Sequence, residues 1–275
     1  MQHRLLTKGL ALAAGLLLAA TTITPATAGQ LTPNRARYAA LGDSYAAGVG
    51  VAPSEAYPVL LAGKANKVTF LAESGATTVA VLTEQVPLVP TTARQITLTV
   101  GGNDIGFGVV ALACAGDPES VACVAALANA QQALLDLPGD LAELMTAVRT
   151  RAPHAQIYVT GYPLLFQPLD QAGFCMPIQQ LNPLITPTTL MQADALVDGL
   201  NAVIEGVVAT VNFQDERVEF VDVIDEFPTG LCGGNLIYPP MPISPTEFAP
   251  SSLHPTTLGQ QAYAAAIAGA GFVTG

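Results

Sequence analysis

The chain has 275 residues, with 10 Lys+Arg against 21 Asp+Glu, 51% hydrophobic residues and 11% charged ones. That length permits one large domain or two small ones, and the apolar share supports a sizeable core and excludes a disordered polyampholyte. The formal net charge of −11 argues against a nucleic-acid partner, whose phosphates require a basic face.

Residues 1–28 read as a secretory signal. Arg4 and Lys8 form a short positive region, Gly9 to Ala20 an apolar run of 12 residues, and Ala26-Thr27-Ala28 the small-x-small cleavage pattern. The apolar run is too short to span a bilayer comfortably, and no Cys follows it to carry a lipid. Cleavage near Ala28 removes two basic residues and no acid, so the exported chain carries −13. Residues 29–275 then form one domain without repeats or an inter-domain linker. No second apolar run long enough for a membrane anchor follows.

Five short apolar runs read as buried strands: Tyr38–Leu41, Val68–Leu71, Ile96–Val100, Ile157–Thr160 and Val218–Val223. Ala-rich segments with helical spacing lie between and after them: Ser120–Leu137, Asp140–Arg151, Thr188–Val211 and Thr256–Ala268. Continuous apolar strands alternating with helices predict a five-stranded parallel sheet inside a three-layer α/β/α sandwich. Two Pro-rich segments, Tyr162–Pro187 and Asp225–Pro250, follow the fourth and fifth strands. Loops this long are more often functional than not.

The cysteines, Cys114, Cys123, Cys175 and Cys232, are even in number and outside any C-x-x-C spacing. In an exported chain they read as two disulfides, with zinc ligation the alternative. Three connectivities are open. Nearest-neighbour pairing joins Cys114 to Cys123 and Cys175 to Cys232, which would staple the two Pro-rich loops together.

In open parallel sheets ligands bind beyond the carboxyl ends of the strands. Gly42-Asp43-Ser44-Tyr45 follows the first strand, Ser74-Gly75-Ala76-Thr77-Thr78 the second, and Gly101-Gly102-Asn103-Asp104 the third. All three should share one edge. Ser44 is a candidate nucleophile and needs a base. His154 precedes the fourth strand, at the wrong end, and reads as a surface residue; His254 follows the last loop and can reach the correct edge. Gly75 N–H, the Asn103 amide and Ser44 N–H are candidate donors to an oxyanion. Taken singly, Gly75 is a turn residue and Asn103 a loop-former. Their arrival after successive strands in this order is the stronger signal.

GDSYAAG, ESGATT, VGGNDIGF and SSLHPTTLGQQAYA, together with Gly161-Tyr162-Pro163, resemble the ordered blocks of the SGNH (GDSL) hydrolase family, and most closely its secreted actinobacterial lipase and esterase members. The resemblance spans nearly all of the exported chain. It implies a flavodoxin-like sandwich and ester hydrolysis without metal or cofactor. Ser44 would be the nucleophile, His254 the base, and Ser44, Gly75 and Asn103 the oxyanion hole. The similar members carry disulfides consistent with nearest-neighbour pairing, often with a third near the N-terminus for which this chain lacks the cysteines. Gly-x-Ser-x-Ala around Ser44 does not match the G-x-S-x-G elbow of α/β-hydrolases.

One block departs from the family. Its usual Asp-x-x-His is Ser251-Ser252-Leu253-His254 here, so the acid that would orient the imidazole is missing. Three readings compete. A backbone carbonyl near Ser251 accepts the His254 Nδ1–H and makes a dyad; Glu247, Asp222 or Asp225 substitutes; or turnover is lost. The expectation is a secreted, monomeric esterase or lipase acting through an acyl-enzyme on a small-molecule or lipid ester. The alternatives are a polysaccharide deacetylase on the same frame and a non-catalytic envelope-binding protein. Leu164, Leu165, Phe166, Phe174 and Met176 are candidates to line an acyl groove, or else to fill the core beneath the loops.

Overall fold

The computed structural model of the chain describes residues 38–63, 68–170, 173, 175, 178, 184–214, 216–244 and 247–274. The signal segment expected over 1–28 lies outside them, as do Phe174 and Met176. Five strands form one parallel sheet: β1 (Tyr38–Gly42), β2 (Val68–Phe70), β3 (Gln95–Thr99), β4 (Gln156–Thr160) and β5 (Val218–Val221), in the order β2-β1-β3-β4-β5. The chain winds outward from β1 to β2, then crosses back to β3. The carboxyl ends of β1 and β3 therefore flank the point where the winding reverses, which is where such sheets open a crevice.

The strands are apolar on both faces because both are covered. Ala39, Leu41, Ile96, Leu98, Ile157 and Val159 face one core layer, filled by Leu141, Leu144 and Met145 of α5 (Val121–Arg151) and Leu200 and Ile204 of α6 (Pro187–Val211). Tyr38, Ala40, Tyr158 and Val221 face the other, which holds Tyr57 and Leu61 of α2 (Tyr57–Ala62) and Tyr263 and Ile267 of α7 (Thr257–Gly269). Hydroxyls buried on that second face satisfy one another: Tyr38 with Thr97 at 2.7 Å, Tyr57 with Thr99 at 2.8 Å, Thr99 with Thr160 at 2.7 Å.

The helical segments expected over Ser120–Leu137 and Asp140–Arg151 are one continuous helix, α5, with Pro138 inside it. An interior proline costs about 3 kcal/mol through a lost hydrogen bond and a clash. Here Leu137, Leu141, Leu144 and Met145 are all buried around it, and that packing keeps the helix running through the break the local sequence favours. Several elements carry no clear periodic signal in the sequence. One is the apolar α4 (Phe107–Gly116), which starts after Gly106 at φ +66°. Others are the strands of the antiparallel pair β6 (Pro242–Ser244) and β7 (Glu247–Phe248), within the second Pro-rich segment.

Both nearest-neighbour disulfides are present. Cys114–Cys123 ties the end of α4 to the start of α5, and Cys175–Cys232 joins the two Pro-rich segments. The second closes 57 residues and the first nine. Chain entropy credits them with about 4.2 and about 2.7 kcal/mol respectively. Denaturant melts of the paired serine variants should therefore show the larger loss of unfolding free energy for Cys175→Ser/Cys232→Ser; equal losses would refute loop closure as the source.

Candidate active site

Ser44 opens the short helix α1 (Ser44–Ala47) straight after β1. The turn into it needs glycine. Gly42 has φ +129°, and a Cβ there would stand 2.1 Å from the Thr99 carbonyl oxygen. Gln85 clamps that turn from both sides, its amide oxygen accepting from Gly42 N–H at 2.8 Å and its amide nitrogen donating to Gly42 C=O at 2.9 Å. Asp43 caps α1 by accepting from Tyr45 N–H at 2.9 Å. As the first residue of a helix, Ser44 has an N–H that no turn of the helix uses.

His254 Nε2 stands 2.7 Å from Ser44 Oγ, although 210 residues separate them. Its Nδ1 stands 2.9 Å from the Ser252 carbonyl oxygen. A carbonyl can only accept, so Nδ1 carries the hydrogen and Nε2 presents its lone pair to the Ser44 hydroxyl.

The expected carbonyl was that of Ser251, and the structure puts Ser252 in its place. Leu253 has φ +65°, the left-handed region, and this folds the chain back so that the carbonyl two residues before the histidine meets the ring. The Ser251 carbonyl instead accepts the His254 backbone N–H at 3.1 Å. No sequence signal singles out Ser252, because the choice depends on one backbone dihedral. Ser252 is buried, and its hydroxyl accepts from Met241 N–H at 2.8 Å. Among the described residues no carboxylate forms an ion pair with His254. Glu247 lines the cleft from β7 but is exposed; Asp222 accepts from Ile224 N–H and, like Asp225, lies outside the cleft wall.

Asn103 lies beyond β3 and donates from Nδ2 to the Ala76 carbonyl at 3.0 Å, leaving its second amide hydrogen. Gly75, at φ +83°, precedes Ala76, and its N–H makes no hydrogen bond among the described residues. Asp104 holds the same loop by accepting from the N–H and hydroxyl of Thr78, which opens the short helix α3 (Thr78–Ala80). The loops after β2 and β3 are thus tied together, so Gly75 and Asn103 stay in register although Gly75 is not part of the cleft wall. His154 is exposed, far along the chain from this edge at the amino end of β4.

A hydroxyl poised against a neutral imidazole, beside backbone and amide donors, is the constellation acyl transfer requires. The pattern of the GDSL-like Lipase/Acylhydrolase family matches residues 40–262.

The chain belongs to this family.

It is 32% identical to a lipase of Streptomyces rimosus over 238 residues, covering 81% of this chain and 82% of the relative. The crystal structure of the extracellular lipase from Streptomyces rimosus superposes with a TM-score of 0.72 at 30% identity, over 85% of this chain and 99% of that one. Phospholipase A1 from Streptomyces albidoflavus NA297 gives 0.71 at 28% identity, over 86% and 99%. The family makes this chain a carboxylic ester hydrolase.

In this hydrolase Ser44 and His254 open into a cleft of about 330 Å³, walled by Asn103, Phe107, Pro163, Leu165, Phe248 and Leu253 among others. A smaller apolar pocket of about 70 Å³ shares Phe107, Ala111, Phe248 and Leu253 with it and is lined further in by Val110, Phe166, Ile178 and Leu190. Of the groove candidates, Leu165 walls the cleft, Phe166 walls the pocket, and Leu164 packs on the sheet core. Burial pulls the His254 imidazole below its ordinary 6.5, opposed by the Ser252 and, less, the Ser251 carbonyl. Burial pushes the Asp43 carboxyl from 3.8 to about 7, against hydrogen bonds from Tyr162 O–H at 2.5 Å and from Tyr45 N–H.

Two pH dependences follow. A base must be neutral to act, so kcat/KM should fall with acid through a midpoint below 6.5, read from its pH profile. Asp43 keeps its proton in the folded chain where the unfolded chain has lost it, so stability declines as pH rises from 3.8 to about 7. Asp43→Asn, which retains the cap acceptor, should flatten that decline in thermal melts across the range; an unchanged slope would assign it elsewhere.

Proposed function

We propose that this hydrolase is an exported esterase or lipase that cleaves esters of apolar acyl chains through a Ser44–His254 dyad. The 2.7 Å contact between Nε2 and Oγ, with Nδ1 held by a carbonyl, is the observation that carries the reading. His254 takes the Ser44 proton as Oγ attacks the ester carbonyl carbon. The oxyanion is held by Ser44 N–H, Gly75 N–H and the free Asn103 amide hydrogen. The tetrahedral intermediate expels the alcohol, which receives the proton from His254. Water, deprotonated by His254, then attacks the acyl-enzyme, and Ser44 regains its proton as the acid leaves.

Ser252 provides orientation without a negative charge, so the imidazolium is stabilised less than beside a carboxylate. A dyad of this kind turns over more slowly than a triad.

The apolar cleft and its adjoining pocket favour an acyl chain longer than acetyl, and two relatives are named lipase and phospholipase A1. Export is supported by the signal pattern in residues 1–28, by the two disulfides and by the extracellular relative. Among the described residues no helix is long and apolar enough to cross a membrane.

The test is a chromogenic ester series, short acyl to long, on the exported protein, whose N-terminal sequence should begin at Gly29. Turnover should peak beyond acetyl and fall at least about a thousandfold in Ser44→Ala. An acetyl optimum would favour the polysaccharide deacetylase. A folded, oxidised sample inert at every length would favour the non-catalytic binding protein.

A further inference from the structure

We propose that Tyr45, next to the nucleophile, is a positioning residue that sets the Ser44–His254 geometry by holding the left-handed Leu253 peptide; this rests on the dyad reading above. Tyr45 O–H donates to the Leu253 carbonyl at 2.6 Å. In return, the Gln260 amide of α7 donates to the Tyr45 carbonyl at 3.1 Å, while its oxygen accepts from Tyr57 N–H at 2.8 Å. Apart from the Ser44–His254 contact itself, the hydrogen bonds that link α1 to the Leu253 turn and to α7 among the described residues both pass through Tyr45. One residue therefore spans the gap between nucleophile and base, once by its side chain and once by its backbone.

The need for such a device comes from Leu253. A leucine at φ +65° is sterically unfavourable, and it is the sole non-glycine residue with positive φ among those described. Its N–H is taken by the Tyr238 carbonyl at 2.9 Å, and Tyr238 N–H in turn donates to the His254 carbonyl at 2.8 Å. That pairing fixes the outer side of the turn. Among the described residues only the Tyr45 hydroxyl takes the Leu253 carbonyl, on the side facing the nucleophile. If that peptide relaxed, the Ser252 carbonyl would leave Nδ1 and Nε2 would swing from Ser44 Oγ. The Tyr45 ring is itself immobilised, edge-on to Tyr162 at 5.1 Å and to Tyr263 at 6.1 Å, with the His254 ring tilted against it at 5.3 Å. Burial raises the phenol further above its ordinary value, so it remains a donor throughout the working pH range.

The decisive experiment compares Tyr45→Phe, Leu253→Gly and their combination with Ser44→Ala, per folded site. Tyr45→Phe keeps the ring and should lower kcat roughly tenfold to a hundredfold, the scale of a displacement near 1 Å at a reacting group. KM should stay within about twofold, since the ring that lines the cleft is kept and the lost hydroxyl is engaged with the Leu253 carbonyl. The rate of Ser44 phosphonylation by a fluorophosphonate, which needs the same alignment but no acyl chain, should fall in parallel. Glycine holds positive φ without help, so in the Leu253→Gly background the Tyr45→Phe loss should shrink to about twofold or less. Wild-type kcat in Tyr45→Phe, or an equal loss in both backgrounds, overturns the positioning role while leaving the dyad intact. A lowered melting temperature without the kcat loss also overturns it. Full turnover in Ser44→Ala overturns the dyad and this inference with it.

Discussion

A contact of 2.7 Å between atoms 210 residues apart is the constraint on which the rest of this structure depends. Neither Ser44 nor His254 has local means to find the other. The parallel sheet brings them together, because the loop after β1 and the segment before α7 reach the same edge. The crossing from β2 back to β3 opens the crevice there and adds the loop bearing Asn103. The buried layers on both faces of the sheet keep that edge rigid, since close-packed interiors yield little to local strain.

Around the contact, the polar groups are held by hydrogen bonds. A neutral carbonyl fixes the His254 tautomer, and no ion pair to that ring is present among the described residues. The carboxyl nearest the nucleophile along the chain, Asp43, faces a different task. It is buried against Tyr162, whose hydroxyl also accepts from Gly102 N–H at 3.2 Å. Tyr162 is held by Asn201, which brackets its backbone N–H and C=O at 2.8 Å each. One phenol thus connects the loop carrying Ser44 to the loop carrying Asn103, and the Asp43 carboxyl retains its proton more firmly because it is buried. The cost of that burial is distributed over a network in which each polar member has a partner.

The Pro-rich segments have a double part. The Cys175–Cys232 bridge fastens them to each other, and β6 and β7 bring Phe248 and Glu247 to the cleft. The apolar walls of the cleft come largely from these segments and from α4. Ser44 and Asn103 lie just beyond strands of the sheet, whereas His254 stands in a turn just beyond the second Pro-rich segment. Loops on a rigid scaffold commonly carry binding walls of this kind.

Much of this was legible along the chain. Apolar runs mark all five strands, and the strand-end rule sends the segments bearing Ser44, Gly75 and Asn103 to one edge, because strand burial and turn chemistry are local properties. Three matters were beyond local reach. The continuity of α5 through Pro138 depends on the packing of Leu137, Leu141 and Leu144. The helix α4 carries no amphipathic period to read, being apolar nearly throughout. And the carbonyl that orients His254 belongs to Ser252 and not Ser251, because Leu253 adopts a conformation its own side chain disfavours. Residue order determined which groups reach the sheet edge. The dihedral that aims them was decided by tertiary contacts, since Tyr45 and Tyr238 hold a peptide that short-range sterics alone would release.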